Sequence, residues 1–166
     1  MVIEDLLAGA FIFVDANVFV YAFTETSKEC LGLIERCRRE EIHGFVSTPT
    51  LAEICHRTMG AEAADVMGQK SVSHKYLEEH PDLVHQLRKY ASFLGNVIQR
   101  WHIGIIEVSE TDILHAQQVR ERYGMLTNDS LIAQVMLDYG ISAIATNDSA
   151  FERIEGIRVF KPGDIA

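Results

Sequence analysis

Four acidic side chains occupy positions from which carboxylates could do chemistry together: Asp15, Glu53, Asp129 and Asp148. Asp15 directly follows the apolar run FIFV, and Asp148 comes just after AIAT; both runs are typical of buried strands. Glu53 in TLAEIC and Asp129 in LTNDSLIA lie near predicted helix starts, among apolar neighbours. Because ligands of parallel α/β sheets bind at the carboxyl ends of the strands, we expect the four acids to meet there.

Each acid also has a purely structural interpretation. Asp15 fits the N-cap of a following helix, and Asp148 fits a turn. Asp129 would be favoured by the positive end of a helix dipole. Glu53 lies about one turn past Pro49 and is therefore no cap, although an exposed stripe of a helix could hold it.

Carboxylates that converge on one pocket repel each other, and some must take up protons unless cations intervene. The hard divalent cations Mg²⁺ and Mn²⁺ prefer oxygen ligands and resolve this repulsion. A site of carboxylates without Cys or His suits phosphoryl chemistry, because the cation polarises a phosphodiester oxygen and activates an attacking water. We therefore predict that Asp15, Glu53, Asp129 and Asp148 bind one or two such ions and catalyse hydrolysis.

The elements that must position these acids follow from short apolar runs that alternate with longer helical patterns. Strands are predicted at 10–14, 43–47, 104–108, 141–145 and, at a sheet edge, 157–160. Helices are predicted at 28–40, from an N-cap at Thr48 to Met59 with Gly60 as the stop, at 109–123 and at 129–139. This alternation predicts an α/β fold with a mainly parallel sheet.

The length of 166 residues fits a single domain, which we place at 1–166. Residues 61–102 are the least strand-like part, and we expect a helical insertion there. Leu83, Leu87, Tyr90 and Leu94 follow three- and four-residue spacing, which predicts a long amphipathic helix from about Pro81.

The charge balance of 15 Lys+Arg against 24 Asp+Glu gives a net charge of -9, which argues against a broad basic surface for nucleic acids. No apolar run approaches the roughly 18–20 residues of a membrane span, and acids stand where a signal peptide needs basic residues. Cys30, Cys37 and Cys55 lack metal-site or disulfide spacing and are expected to be small buried side chains. We expect a cytoplasmic protein that does not bind membranes.

Four segments carry a family resemblance in their order and approximate spacing. They are FVDANVFVYAF (13–23), STPTLAEICHR (47–57), GMLTNDSLIAQVM (124–136) and AIATNDSAFERIEGIRVFKP (143–162), with LTND and ATND the most specific parts. The sequence thus resembles PIN-domain proteins, specifically the VapC-type toxin ribonucleases. The resemblance implies an α/β/α sandwich with a central, mainly parallel sheet.

The resemblance also implies site residues and an activity. The acidic quartet of the family falls on the same four acids, and Asn17 and Thr146 match polar positions that support the metal site. The implied activity is Mg²⁺- or Mn²⁺-dependent cleavage of RNA that leaves 5′-phosphate and 3′-hydroxyl ends. Many relatives carry a further acid where this chain has Ser149 and Ala150. Arg57, one helical turn after Glu53, could contact substrate, or it could form a surface ion pair.

The expected partners are an RNA substrate, an antitoxin protein and a second copy in a homodimer. A housekeeping RNA-processing nuclease and a non-catalytic PIN-like module that binds RNA or protein are the alternatives. The pair Glu53-x-x-His56 raises a further alternative, a di-iron helix bundle, which the predicted strands disfavour. Residues 61–102 could form a clip around the active-site groove, a dimer surface, an antitoxin-binding face or extra core helices.

Overall fold

The computed structural model describes residues 1–165. Its strands are β1 (Phe11–Val14), β2 (His43–Ser47), β3 (Gly104–Ile106), β4 (Ala143–Ala145) and β5 (Arg158–Phe160). Its α-helices are α1 (Ala16–Phe23), α2 (Lys28–Arg38), α3 (Thr48–Met67), α4 (His74–Glu79), α5 (Pro81–Val84), α6 (Lys89–Gln99), α7 (Glu110–Tyr123) and α8 (Thr127–Asp138). Short 3₁₀ helices span Ile3–Asp5 and Ser149–Arg153. Within residues 1–165, no helix has both the length and the apolar character that crossing a membrane requires.

The strands form one sheet in the order β3-β2-β1-β4-β5, and every neighbouring pair is parallel. The carboxyl ends of all these strands therefore lie along the same edge of the sheet. This sheet confirms the predicted α/β fold, with β5 at the edge. It also excludes the helix-bundle alternative.

Helices cover both faces of the sheet because side chains of β1 alternate between two cores. Ile12 and Val14 belong to one core, and Phe13 belongs to the other. The first core is completed mainly by α1 and α2, with Phe19, Leu33, Ile34, Cys30 and Cys37 among its members. The second is completed mainly by α7 and α8, with Val119, Ile132, Ala133 and Met136. The result is the expected α/β/α sandwich.

The cysteines pack largely as predicted. Cys30 and Cys37 are buried, and burial raises the pKa of each thiol to about 11. Cys55 is half-buried, and all three are free. The side chains of Cys30 and Cys37 therefore behave as small apolar groups in the first core.

Helix α3 differs from its prediction at both ends. Its N-cap is Ser47, one residue before the predicted Thr48, and the helix continues through Gly60 to Met67. A glycine inside a helix costs up to about 1 kcal/mol, but burial of Ala63 and Ala64 beyond it outweighs that cost. The helix ends at Gly68, which has the left-handed φ of 63°.

The prediction of one long helix from Pro81 is wrong, because the helical structure is interrupted between α5 and α6. The carboxylate of Glu62 on α3 accepts backbone hydrogen bonds from Arg88 at 2.8 Å, Lys89 at 3.0 Å and Tyr90 at 2.8 Å. These donors lie at the start of α6, where a helix leaves its first N–H groups without intrahelical partners. A side chain from another helix thus caps α6 and sets its start.

Candidate active site

The sheet register places Asp15 beside Thr146. Val14 pairs with Ala145 across β1 and β4, so the residue after each strand emerges at the same edge. The backbone N–H of Asp15 continues the pairing by donating to the Ala145 carbonyl at 3.0 Å. The Thr146 hydroxyl then donates to Asp15 Oδ2 at 2.6 Å.

Asn17 completes the surroundings of this carboxylate oxygen. Its Nδ2 donates to Asp15 Oδ2 and to Thr146 Oγ1, the latter at 2.9 Å. Both residues that the resemblance assigns to support the site therefore touch Asp15 or each other. Their hydrogen bonds fix the orientation of one carboxylate oxygen.

Asp15 is also the N-cap of α1, so its structural interpretation holds together with the functional one. Its Oδ1 accepts a hydrogen bond from the Ala16 N–H at 2.6 Å. Only 8% of Asp15 is exposed, and this burial raises its pKa to about 6 despite the bonds from Thr146 and Ala16. The charge of Glu53 also raises the pKa, whereas Arg57 lowers it.

Glu53 projects from the second turn of α3, which starts where β2 ends. Ser47, the last residue of β2, caps this helix by accepting from the Thr50 N–H at 3.3 Å. Glu53 Oε1 lies 3.4 Å from Arg57 Nη1, and the two side chains are 32% and 37% exposed. The predicted surface ion pair of Arg57 is therefore present, and it neutralises part of the acidic site.

Asp129 lies in the first turn of α8, and Asp148 caps the short 3₁₀ helix that follows β4. Burial is the main cause that raises the pKa of Asp129, followed by the charges of Asp148 and Glu53. Such charge effects indicate that these three carboxyls lie in the same region of the protein. Asp148 is exposed, its Oδ1 accepts from the Ala150 N–H at 2.8 Å, and its own N–H donates to Thr146 Oγ1 at 3.0 Å. The turn interpretation of Asp148 also holds.

The four acids influence each other without forming a preassembled ion site. Among residues 1–165, no three His, Cys, Asp or Glu side chains are arranged to hold a metal ion as they stand. Asp15 Oδ2 accepts a hydrogen bond from Thr146, and Glu53 Oε1 lies 3.4 Å from Arg57 Nη1. Carboxylate oxygens suit a hard cation as ligands, but binding one at this site would require the acids to rearrange.

Several residues near the site were not singled out in advance. Asn147 donates from its backbone to Asn17 Oδ1 at 3.2 Å and from its side chain to the Tyr21 hydroxyl at 3.3 Å. Buried Ser130, next to Asp129, accepts from Arg120 Nη1 at 3.0 Å. The motif ATND contains Asn147, and Ser130 directly follows LTND. Each motif therefore contains or adjoins a polar residue that forms hydrogen bonds with another helix.

Comparison with known proteins identifies the class of fold. A family model for the PIN domain matches residues 12–157. The chain belongs to the PIN-domain family, as the segments quoted above predict.

Two individual proteins illustrate the similarity. Ribonuclease VapC2 of Methanocaldococcus jannaschii is 23% identical over 151 residues, which cover 90% of this chain and 93% of that protein. The fold is similar to that in the crystal structure of VapBC2 from Rickettsia felis bound to a DNA fragment from their promoter. In that comparison the TM-score is 0.57 and the identity 18%, with 91% of this chain and 98% of the other covered.

Proposed function

We propose that this protein is a Mg²⁺- or Mn²⁺-dependent endoribonuclease and the toxin of a toxin–antitoxin pair. The observation that carries the proposal is the buried carboxylate of Asp15, which Thr146 and Asn17 orient at the carboxyl edge of a parallel sheet. Burial raises the pKa of this carboxyl to about 6, and a cation nearby would stabilise its ionised form. The similarity to Ribonuclease VapC2 supports RNA as the substrate.

Asp15, Glu53, Asp129 and Asp148 would hold one or two ions through oxygen ligands. When bound, such an ion supplies Lewis acidity to a phosphodiester and lowers the pKa of water. Asp15 is the fixed member, because Ala16 and Thr146 hold both of its oxygens. The other acids are half-buried or exposed and can turn toward it.

The neighbouring polar groups have roles of their own. Thr146 and Asn17 orient the Asp15 carboxylate, as outer hydrogen bonds do for metal ligands in general. Arg57 offsets the charge of Glu53 and is placed to approach a phosphate when that ion pair opens.

The test is RNA cleavage by the purified protein with Mn²⁺ or Mg²⁺, with and without EDTA. We expect EDTA and the substitution Asp15→Asn each to abolish cleavage. Asp138→Asn is the matched control, because Asp138 is an exposed acid at the end of α8 that bonds to Gln134. Cleavage that survives both EDTA and Asp15→Asn would overturn the metal-dependent nuclease, whereas an absence of cleavage by the wild type with either metal would favour a non-catalytic module.

The similar proteins support the toxin role, because they include a VapC ribonuclease and a VapBC complex. Induced expression should arrest growth, and both Asp15→Asn and a co-expressed antitoxin from a neighbouring small reading frame should relieve the arrest. A housekeeping nuclease would cleave RNA in vitro without arresting growth.

We also propose that the protein forms a homodimer. Ile113 and Leu114 on α7 are 48% and 71% exposed, and Leu126 is 78% exposed, which leaves apolar surface for a partner. Light scattering should give twice the mass of one chain, and a monomer mass would contradict this.

A further inference from the structure

A groove of about 260 Å³ lies between α1, α3 and the loop that leads into α4. Its polar lining comes from Arg57, Lys70, Ser71 and His74, and its small residues include Gly60 and Ala61. The volume is below the roughly 300–1,000 Å³ typical of pockets for small molecules. The groove is therefore better suited to part of an extended chain than to a whole ligand.

The groove adjoins the acidic site at Arg57. This residue lines the groove, and its Nη1 lies 3.4 Å from Glu53 Oε1. A polymer bound at the four acids can therefore extend along α3 into the groove.

The charge of the groove is opposite to that of the protein as a whole. The net charge is -9, yet the titratable side chains that line the groove are Arg57, Lys70 and His74, with no carboxylate among them. Within residues 1–165, Lys70 makes no salt bridge, whereas Lys75 lies 3.8 Å from Glu79. Lysine, arginine and serine side chains are common donors to phosphate oxygens.

The shape of the groove also allows the backbone of a bound polymer to come close to α3. A Cβ atom added at Gly60 would meet nothing within 4 Å, so the surface of α3 is open there. The ring of His56 packs on that of His74 with 3.6 Å between centroids. This contact holds the His74 imidazole at the groove, where it can donate a hydrogen bond.

We propose that this groove binds the sugar-phosphate backbone of RNA next to the scissile phosphate, with Arg57, Lys70, Ser71 and His74 as donors. The proposal rests on RNA as the substrate of the acidic site. It implies that affinity for RNA comes from a small basic region in an acidic protein, and that this affinity does not require a bound metal.

The test measures binding apart from cleavage. Fluorescence anisotropy with a labelled single-stranded RNA of roughly 12 nucleotides is recorded in EDTA at several salt concentrations. Lys70→Ala should weaken binding about three- to tenfold and lower the salt slope by about 0.7, the value for one phosphate contact to a single strand. Lys75→Ala, in the same segment but outside the groove, should leave affinity unchanged.

A second pair of variants tests the shape without changing charge. Gly60→Leu should fill the groove and weaken RNA binding, whereas Gly32→Leu, at an open position of α2 outside the groove, should bind as the wild type does. Circular dichroism checks that both variants keep the fold, which the open space at both glycines permits.

The outcomes separate this proposal from the proposed nuclease. If Lys70→Ala and Gly60→Leu bind RNA as tightly as their controls while the wild type cleaves RNA, the groove proposal is overturned and the nuclease stands. If both weaken binding but no cleavage is seen with Mn²⁺, the groove proposal stands alone. An absence of RNA binding, or a groove that binds an acidic peptide instead, overturns it.

Discussion

The Thr146 hydroxyl donates a 2.6 Å hydrogen bond to Asp15 Oδ2, joining residues 131 positions apart in the chain. The contact exists because β1 and β4 are parallel neighbours with Val14 opposite Ala145. A single hydroxyl in the segment ATND thereby binds the carboxylate of the segment FVDAN. Oγ1 of Thr146 also accepts from the Asp148 N–H at 3.0 Å, so it connects two acids of the candidate site.

Thr146→Val should weaken both the fold and the activity. The substitution removes the donor from a buried carboxylate, and an unsatisfied buried group costs about 1–3 kcal/mol. Urea unfolding measures the free energy, and RNA cleavage measures the activity. Thr146→Ser keeps the hydroxyl and should retain most of both. A loss in Thr146→Ser as large as that in Thr146→Val would contradict a role carried by the hydroxyl.

The sequence predicted the sheet well because each strand is a short apolar run with clear flanking signals. The four acids stay a prediction, made because they follow or precede such runs or lie near helix starts, in segments that resemble PIN domains. The predictions that Asp15 caps a helix and that Asp148 lies in a turn are confirmed. A capping role therefore does not exclude a place in a site. The hydrogen bond from Asn147 to Tyr21 was not predicted, because it depends on how α1 packs near the end of β4.

Asp129→Asn should stabilise the metal-free protein. Burial and the charges of Asp148 and Glu53 disfavour the Asp129 carboxylate, and the amide removes this repulsion. We expect the melting temperature in EDTA to rise by about 1–3 °C, since a chain of this size gains about 2–4 °C per kcal/mol. Differential scanning calorimetry measures the shift.

Asp138→Asn, at the far end of the same helix, serves as the control and should not share this gain. With saturating Mn²⁺ the order should reverse, because the wild type gains more from ligand binding. A clear loss of stability for Asp129→Asn in EDTA would instead favour a purely structural role.

Glu62→Gln should destabilise the start of α6. Glu62 is 4% exposed and accepts three backbone N–H bonds, which the amide cannot replace fully. We expect a loss of about 2 kcal/mol in the free energy of unfolding. Asp65→Asn on the same helix removes an exposed pair with Lys89 and should cost less than about 1 kcal/mol.

The Glu62 contribution should also depend on pH. Burial alone would raise the pKa of Glu62, but the bonds from Tyr90, Arg88 and Lys89 outweigh it and lower the pKa. A carboxyl whose pKa is lower in the folded than in the unfolded protein stabilises the fold at pH values above its unfolded-state pKa of about 4.3. This stabilisation is lost as the pH falls through the folded-state pKa. The difference in the free energy of unfolding between wild type and Glu62→Gln should therefore be largest at neutral pH and smaller in acid. A difference that grows in acid would contradict the capping role.

Substitution by alanine should change the stability of the protein in opposite directions at Gly60 and at Gly68. Gly60→Ala should stabilise by up to about 1 kcal/mol, because the site is helical and the added Cβ meets open space. Gly68→Ala should destabilise by about 1 kcal/mol, because φ is 63° at the helix end. Thermal unfolding of the two variants checks the signs, and a reversed order would mean that the helix ends at Gly60.

The boundaries of α3 and α6 show where local signals were insufficient. Gly60 is a plausible stop by propensity, and the end of α3 is set instead by packing of Ala63 and by the later glycine. The break before α6 comes from Glu62, 26 to 28 residues earlier in the chain. Interactions between residues so far apart in the chain cannot be predicted from the local periodicity of apolar residues.

The central claim is that Asp15, Glu53, Asp129 and Asp148 form one site for a divalent cation. The most direct measurement is calorimetric titration of the purified protein with Mn²⁺, comparing wild type, Asp15→Asn and the control Asp138→Asn. We predict saturable binding of one or two ions to the wild type and to the control, weakened about tenfold or more in Asp15→Asn. Equal binding to all three proteins, or no binding to the wild type, would contradict the account.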